Sequence, residues 1–253
     1  MPGCRAGVFS LQPMSGGGNT KLLVLFDIDG TLIHPGTLAR RLMNEAVFRA
    51  AGVSPDLKME EVAGFTDPSI IRNALRKVRF NPGDLNEAVE RVLNDYLTRL
   101  KAEYPSYDEP YLYPDAIELV RRCREEGWRV GLLSGNLREG AVTKLARFDL
   151  WDEFEFGVFG DDGANREDLL WRVPELAWEA LSEAYPLNRV VLVGDTPNDA
   201  RIANMNGVRS LIVCRRAEWK RKIEAEDPTW LVDSFRELDE IIGWLSMPHG
   251  RGN

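Results

Sequence analysis

The stretch "LLVLFDIDGTLI" at 22–33 constrains this chain more than any other. Its unbroken apolar start reads as a strand buried on both faces, and such strands belong to parallel sheets covered by helices. The run ends in Asp27 and Asp29, with Gly30 and Thr31 directly behind. Packing gains nothing from carboxylates at the end of a buried strand. They need a cation, a hydrogen-bond network or a chemical task.

The same texture returns later in the chain. "WRVGLLSGN", "FEFGVFGDD", "RVVLVGDTPND" and "VRSLIVC" read as strands, and helical patterns lie between them in "DAIELVRRCREEG", at 138–147, at 167–185 and at 197–206. Strands alternating with helices indicate an α/β fold with a parallel sheet and crossover helices. One block interrupts the alternation. Leu38, Leu42, Ala46 and Ala50 recur every fourth residue, and Gly52 supplies a stop. "TDPSIIRNALRKV" starts a second helix with Asp67 as N-cap and Pro68 at the first helical position. "DLNEAVERVLNDYLTRL" starts a third, with Asp84 three residues before Glu87.

The expected architecture is therefore a Rossmann-like parallel-sheet core built from 21–36 and 112–246, with an all-helical domain inserted at 37–111. Residues 1–20 are glycine-rich and lack the apolar run of a signal peptide, so they read as a disordered tail; the closing "SMPHGRGN" reads as frayed. The prolines and tyrosines of 104–114 read as a hinge out of the insertion. The tryptophans, Trp171 and Trp178 among them, read as core and interface anchors, and Arg121, Arg122 and Arg124 as a solvated helix face.

Composition narrows the partners. A net charge of -8 argues against a nucleic-acid binder, which carries basic clusters. No apolar run reaches the length that crosses a bilayer. Cys4, Cys123 and Cys214 are scattered and form neither a metal spacing nor a disulfide framework, which favours a reducing, cytoplasmic setting. The sequence does not specify an oligomeric state.

In an open α/β sheet, ligands bind beyond the carboxyl ends of the strands. The loops there carry Asp27, Asp29 and Gly30; then Ser134, Gly135 and Asn136; then Asp161, Asp162 and Arg166; then Asp195 and Asp199. Asp27 and Asp195 on one sheet edge repel each other unless a cation joins them. Oxygen ligands with open positions suit Mg2+, which keeps waters and accepts substrate phosphate oxygens. Ser134 and the amides near Gly135 suit an anion, and Arg166 suits its charge. Together the loops fit phosphoryl transfer, where positioning and charge neutralisation dominate. Taken singly, each loop has a blander reading: "GDTPND" as a turn and N-cap, Ser134 as an ordinary loop serine, His34 as an exposed loop histidine.

In this order the motifs resemble the haloacid dehalogenase (HAD) superfamily. "DIDGT" resembles its DxDGT signature, "LLSGN" its strand ending in Ser or Thr, and "GDTPND" its GDxxxD signature, while the insertion site resembles that of a helical C1-type cap. The resemblance implies Asp27 as a nucleophile that forms an aspartyl-phosphate, and Asp29 as general acid and then base. It implies Mg2+ held by Asp27, the backbone carbonyl of Asp29, and Asp195, with Asp199 behind them. Ser134, Gly135, Asn136 and a basic residue would bind phosphate. Arg166, just before a helix, is favoured as that residue over Lys144, which the helical spacing directs away from the site. The second Asp favours phosphate over carbon–halogen chemistry, because a halide leaves without a proton. The cap loop "AGFTDP" (63–68) resembles that of phosphoglycolate-phosphatase-like members, with Thr66 and Asp67 as candidate specificity residues or simply as caps of the next helix. The expected activity is hydrolysis of a small phosphorylated metabolite. The alternatives are a phosphomutase of the same fold and a non-catalytic binding protein on this scaffold.

Overall fold

The computed structural model describes residues 22–248. The N-terminal tail expected at 1–20 and most of the frayed C-terminal segment lie outside the described residues. Leu23–Phe26 (β1) sits at the centre of a six-stranded sheet. Arg129–Leu133 (β4) and Gly157–Val158 (β5) flank it on one side. Val190–Gly194 (β6), Arg209–Val213 (β7) and Trp230–Val232 (β8) extend the other side. All five pairings are parallel. The sheet grows leftward and then rightward from β1, so its switch point lies at β1 and β6, where the aspartate loops emerge.

The alternation along β1 shows why the strand is apolar throughout. Val24 and Phe26 join one core cluster together with residues of Pro114–Glu125 (α4) and Arg138–Ala146 (α5). Leu23 and Leu25 join the opposite cluster with residues of Arg166–Leu181 (α6) and Pro197–Met205 (α7). Successive side chains point to opposite faces, and both faces are covered.

Between β1 and β4 the chain builds an all-helical cap from Leu38–Ala51 (α1), Asp67–Lys77 (α2) and Leu85–Glu103 (α3). These helices share a separate apolar cluster that runs from Leu38 to Tyr104. Asp84 caps α3 by accepting from the amides of Asn86 and Glu87. The N-cap of α2 is Thr66, whose hydroxyl accepts from the Ser69 amide at 3.3 Å. Asp67 is thus the first helical residue rather than the cap, because its carboxylate is engaged elsewhere.

Some features escaped sequence reading. Ile33–His34 (β2) and Tyr111–Leu112 (β3), at the two borders of the cap, pair antiparallel, so the supposed hinge is a two-stranded neck. Lys220–Ala225 (α8) and Leu238–Ser246 (α9) close the chain. Trp171 and Trp178 are not core anchors: they are 67% and 60% exposed. The buried stripe of α6 is Leu169, Leu170, Val173 and Ala177, which turns those indoles outward.

Candidate active site

The end of β1 turns sharply. Gly30 has φ +96 and donates its amide to the Ile33 carbonyl at 2.8 Å. A Cβ at Gly30 would lie 2.1 Å from Asp195 Oδ2, so only glycine lets the β1 and β6 loops meet. The turn leaves Asp27 buried beside Arg166, whose Nη2 donates to Asp27 Oδ1 at 3.1 Å and also to Asp199 Oδ1. Arg166 opens α6 and is itself buried. Asp199 is fixed by its own helix start, since its Oδ2 accepts from Thr196 N at 3.0 Å and Thr196 Oγ1 at 2.6 Å.

One guanidinium therefore faces a dense acidic cluster. Carboxylate oxygens of Asp27, Asp195 and Asp199 lie within 4.8 Å of one another, all buried. Burial pushes Asp27 up to about 7, against the opposing pull of Arg166. Burial, then Asp199 and Asp27, push Asp195 well above the usual carboxylate range. Asp195 Oδ1 has no hydrogen-bond partner. A buried oxygen without a partner, in a cluster short of positive charge, fits a hard divalent cation such as Mg2+.

A second polar network flanks the cluster. Ser134 ends β4 and is buried. Its Oγ accepts from Asn136 Nδ2 at 2.9 Å, which leaves the hydroxyl proton free for another acceptor. The same Asn136 Nδ2 donates to Asp29 Oδ2 at 3.0 Å. Lys144 Nζ donates to Asn136 Oδ1 at 2.6 Å and to Asp29 Oδ2. The expected orientation of Lys144, away from the site, is corrected: it is 2% exposed and lines the cavity. The α5 helix starts at Arg138, so Lys144 stands roughly 9 Å along it at 1.5 Å per residue, less than two turns from its start. It shares a buried face with Ala141 and Leu145, and that face looks at the site. Asp161 and Asp162 act locally instead, accepting from the Arg138 and Phe159 amides.

The cap seats its loop directly on this network. The Asp67 amide donates to the Gly135 carbonyl at 2.8 Å, and Asp67 Oδ2 accepts from the Leu137 amide at 2.9 Å. A Cβ on Gly135 would lie 2.0 Å from the Phe65 carbonyl oxygen, so glycine there admits the cap loop. Burial pushes Asp67 up to about 7, and Lys144 opposes the shift. Asp67 lines the cavity; Thr66 is buried and serves as a helix cap.

The cavity between cap and core is about 390 Å³. Among the residues that line it, Arg40 and Tyr96 come from the cap, while Tyr113, Arg216 and Trp219 come from the core. Sequence reading singled out none of these. Arg40 and Tyr96 sit within amphipathic helix patterns, and nothing local separates a residue under the cap from its neighbours. His34 also lines the cavity, stacked on Tyr111 with ring centroids 4.8 Å apart, and burial lowers its pKa. Arg72 and Lys77, basic residues close to the cap loop, bond instead to Asn86 and Glu61.

The chain is similar to known proteins in sequence and in fold. Phosphoglycolate phosphatase of Cereibacter sphaeroides is 28% identical over 190 residues, covering 74% of this chain and 82% of that protein. Pyrophosphatase PpaX of Bacillus cereus is 26% identical over 223 residues, covering 87% of this chain and 95% of its own. The structure of CbbY from Rhodobacter sphaeroides in complex with phosphate superposes with a TM-score of 0.61 at 24% identity, covering 86% of this chain and 96% of that one. The profile of haloacid dehalogenase-like hydrolases matches residues 22–207, which span the loops that carry Asp27, Ser134, Arg166 and Asp195, and the chain belongs to that family.

Proposed function

We propose that this protein is a Mg2+-dependent phosphatase of small phosphomonoesters, of the phosphoglycolate or sugar phosphate class, acting through an aspartyl-phosphate on Asp27. The observation that carries the reading is the division of labour between two carboxylates. Asp27 is held by Arg166 at 3.1 Å within the acidic cluster. Asp29 has one oxygen bound by Lys144 and Asn136, and the other, Oδ1, without a partner. This arrangement supports a reading in which one carboxylate attacks phosphorus and the other keeps a free oxygen for a proton.

The carboxylates of Asp27 and Asp195 and the backbone carbonyl of Asp29 would hold Mg2+, which when bound neutralises charge on the transferring phosphoryl group. Arg166, the Ser134 hydroxyl and the amides around Gly135 and Asn136 bind the phosphoryl oxygens. Asp27 attacks phosphorus while Asp29 Oδ1 gives its proton to the leaving oxygen. Asp29, now ionised, takes a proton from the water that hydrolyses the aspartyl-phosphate. The seated cap keeps bulk water away from this intermediate. Arg40 and Arg216 line the same cavity and suit a second anionic group on the substrate, such as a carboxylate or another phosphate. Relatives named for phosphoglycolate and pyrophosphate hydrolysis support the substrate class.

A panel of phosphate esters, including phosphoglycolate, sugar phosphates and p-nitrophenyl phosphate, tests the reading. Turnover should vanish with EDTA and in Asp27→Asn, whose amide is no nucleophile. Metal-independent turnover, or full activity of Asp27→Asn, would overturn it. Conversion of glucose 1-phosphate primed by a bisphosphate would assign a mutase instead.

A further inference from the structure

The network around Asp29 contains one residue that none of the matched signatures explains. Lys144 is fully enclosed in the core, yet it sits on a helix face otherwise made of Gly140, Ala141 and Leu145. A buried ammonium is tolerated where carboxylates and polar atoms surround it. Here it meets Asp29 Oδ2 and Asn136 Oδ1, and the cap's Asp67 lies close enough to feel its charge. Asn136 in turn reaches Asp29 Oδ2 and Ser134 Oγ. Two donors therefore converge on the same oxygen of Asp29, while its Oδ1, also buried, has none.

We infer that Lys144 is a positioning residue: with Asn136 it occupies Asp29 Oδ2 and so fixes Oδ1 as the oxygen turned to the leaving group. The inference rests on the role of Asp29 proposed above. An oxygen that already accepts two hydrogen bonds is a poor place for a proton, so the transferable proton sits on Oδ1. The side chain also cannot rotate without breaking both bonds. Arg166 serves Asp27 and Lys144 serves Asp29, so each carboxylate has its own cation. The third neighbour of Lys144 comes from the cap, which makes the cluster complete only when the cap is seated.

Two measurements on the full chain decide the matter. In a crystal structure of Lys144→Met, Asp29 should leave its present orientation, with Oδ2 no longer within hydrogen-bond distance of Asn136 Nδ2. An unmoved Asp29 overturns the inference. This readout holds whether or not the wild type turns over an ester; failure of the phosphatase reading shows separately, as a wild type inert across the ester panel. In the kinetic arm, Lys144→Met should lower kcat on an alkyl phosphate about 10- to 100-fold, the scale of a misplaced catalytic group, with KM changed less than about threefold. In an Asp29→Asn background the same substitution should cost almost nothing more, because the group it positions is gone. An equal loss in both backgrounds assigns Lys144 to folding or phosphate binding and overturns the inference. Lys144→Gln keeps a donor in the cluster and is the variant to use if Lys144→Met does not fold; it should show the same non-additivity with a smaller loss.

Discussion

Asp67, a residue of the cap, accepts a hydrogen bond at 2.9 Å from the amide of Leu137, the residue directly before α5 in the core. A carboxylate at a helix start is favoured by both the free amide and the helix dipole. In this chain the acceptor comes from another domain, so satisfying the helix and seating the cap are one event. Asp67→Ala should weaken closure by about 0.5–2 kcal/mol, the usual worth of such a cap, and raise KM roughly 2- to 30-fold. Asp67→Asn keeps an acceptor oxygen and should lose less. Steady-state kinetics checks both, and an unchanged KM in Asp67→Ala would show that the cap stays seated without this bond.

The acidic cluster predicts how metal and pH combine. Burial raises Asp27 to about 7 and Asp195 well above its ordinary value, whereas both sit near 3.9 in an unfolded chain. Between about pH 4 and pH 7 the metal-free native state therefore holds protons that the unfolded state has released. These groups then make metal-free stability fall as pH rises through that window. Under the proposed function Mg2+ would bind the ionised carboxylates, so its stabilisation should grow in the same direction. At about 100 times its Kd a ligand adds about 2.7 kcal/mol, which is about 5–10 °C in Tm for a chain of this size. Thermal melts with Mg2+ and with EDTA should differ by about that much at pH 8 and much less at pH 5. Asp195→Asn should erase most of the difference. An equal Mg2+ effect at both pH values would mean the ion binds elsewhere.

Arg166 is the only cation within hydrogen-bond distance of Asp27 among the described residues. Removing one partner of a buried pair leaves its charge uncompensated, at about 3–5 kcal/mol. Arg166→Met should show a loss of that order in denaturant unfolding of the metal-free protein at pH 8, together with loss of turnover. Arg166→Lys restores charge without the planar guanidinium, whose Nη2 joins Asp27 and Asp199 and whose other nitrogens remain for a phosphoryl oxygen. It should recover most of the stability but little of the activity. Full activity in Arg166→Lys would show that charge alone suffices.

The fold was legible because the strands are buried on both faces and end in turn chemistry. "LLVLF" and "VVLVG" could hardly be anything but central strands, and α1 and α3 announce themselves by periodicity. The aspartates were legible for a related reason: a carboxylate at the end of an apolar run contradicts its surroundings. What the sequence hid was relative placement. Whether Lys144 faces the site depends on where α5 starts and how it packs, and a slip of about two residues, half a turn, reverses the answer. Asp67 read as a cap for its own helix, and its carboxylate instead binds the amide just ahead of another. Arg40, Tyr96 and Arg216 become site residues only through the closing of one domain on the other, which no local pattern encodes.

The paired carboxylates make the most specific prediction. If Asp29 moves the proton, Asp29→Asn should leave metal binding largely intact, because its ligand to Mg2+ would be a backbone carbonyl. Attack by Asp27 on an ester with a poor leaving group should slow by roughly 10²–10⁴-fold, the usual range for general acid catalysis. p-Nitrophenol leaves readily without a proton, so phosphorylation of Asp27 by p-nitrophenyl phosphate should suffer less. Hydrolysis of the aspartyl-phosphate would still lack its base. Rapid mixing of Asp29→Asn with p-nitrophenyl phosphate should therefore give a burst of p-nitrophenol, with an amplitude near the enzyme concentration, followed by slow turnover. Wild-type turnover of an alkyl phosphate by this variant would move the acid to another residue. Absence of a burst, with Mg2+ still bound, would place the slow step before the aspartyl-phosphate and give Asp29 a part in the attack itself.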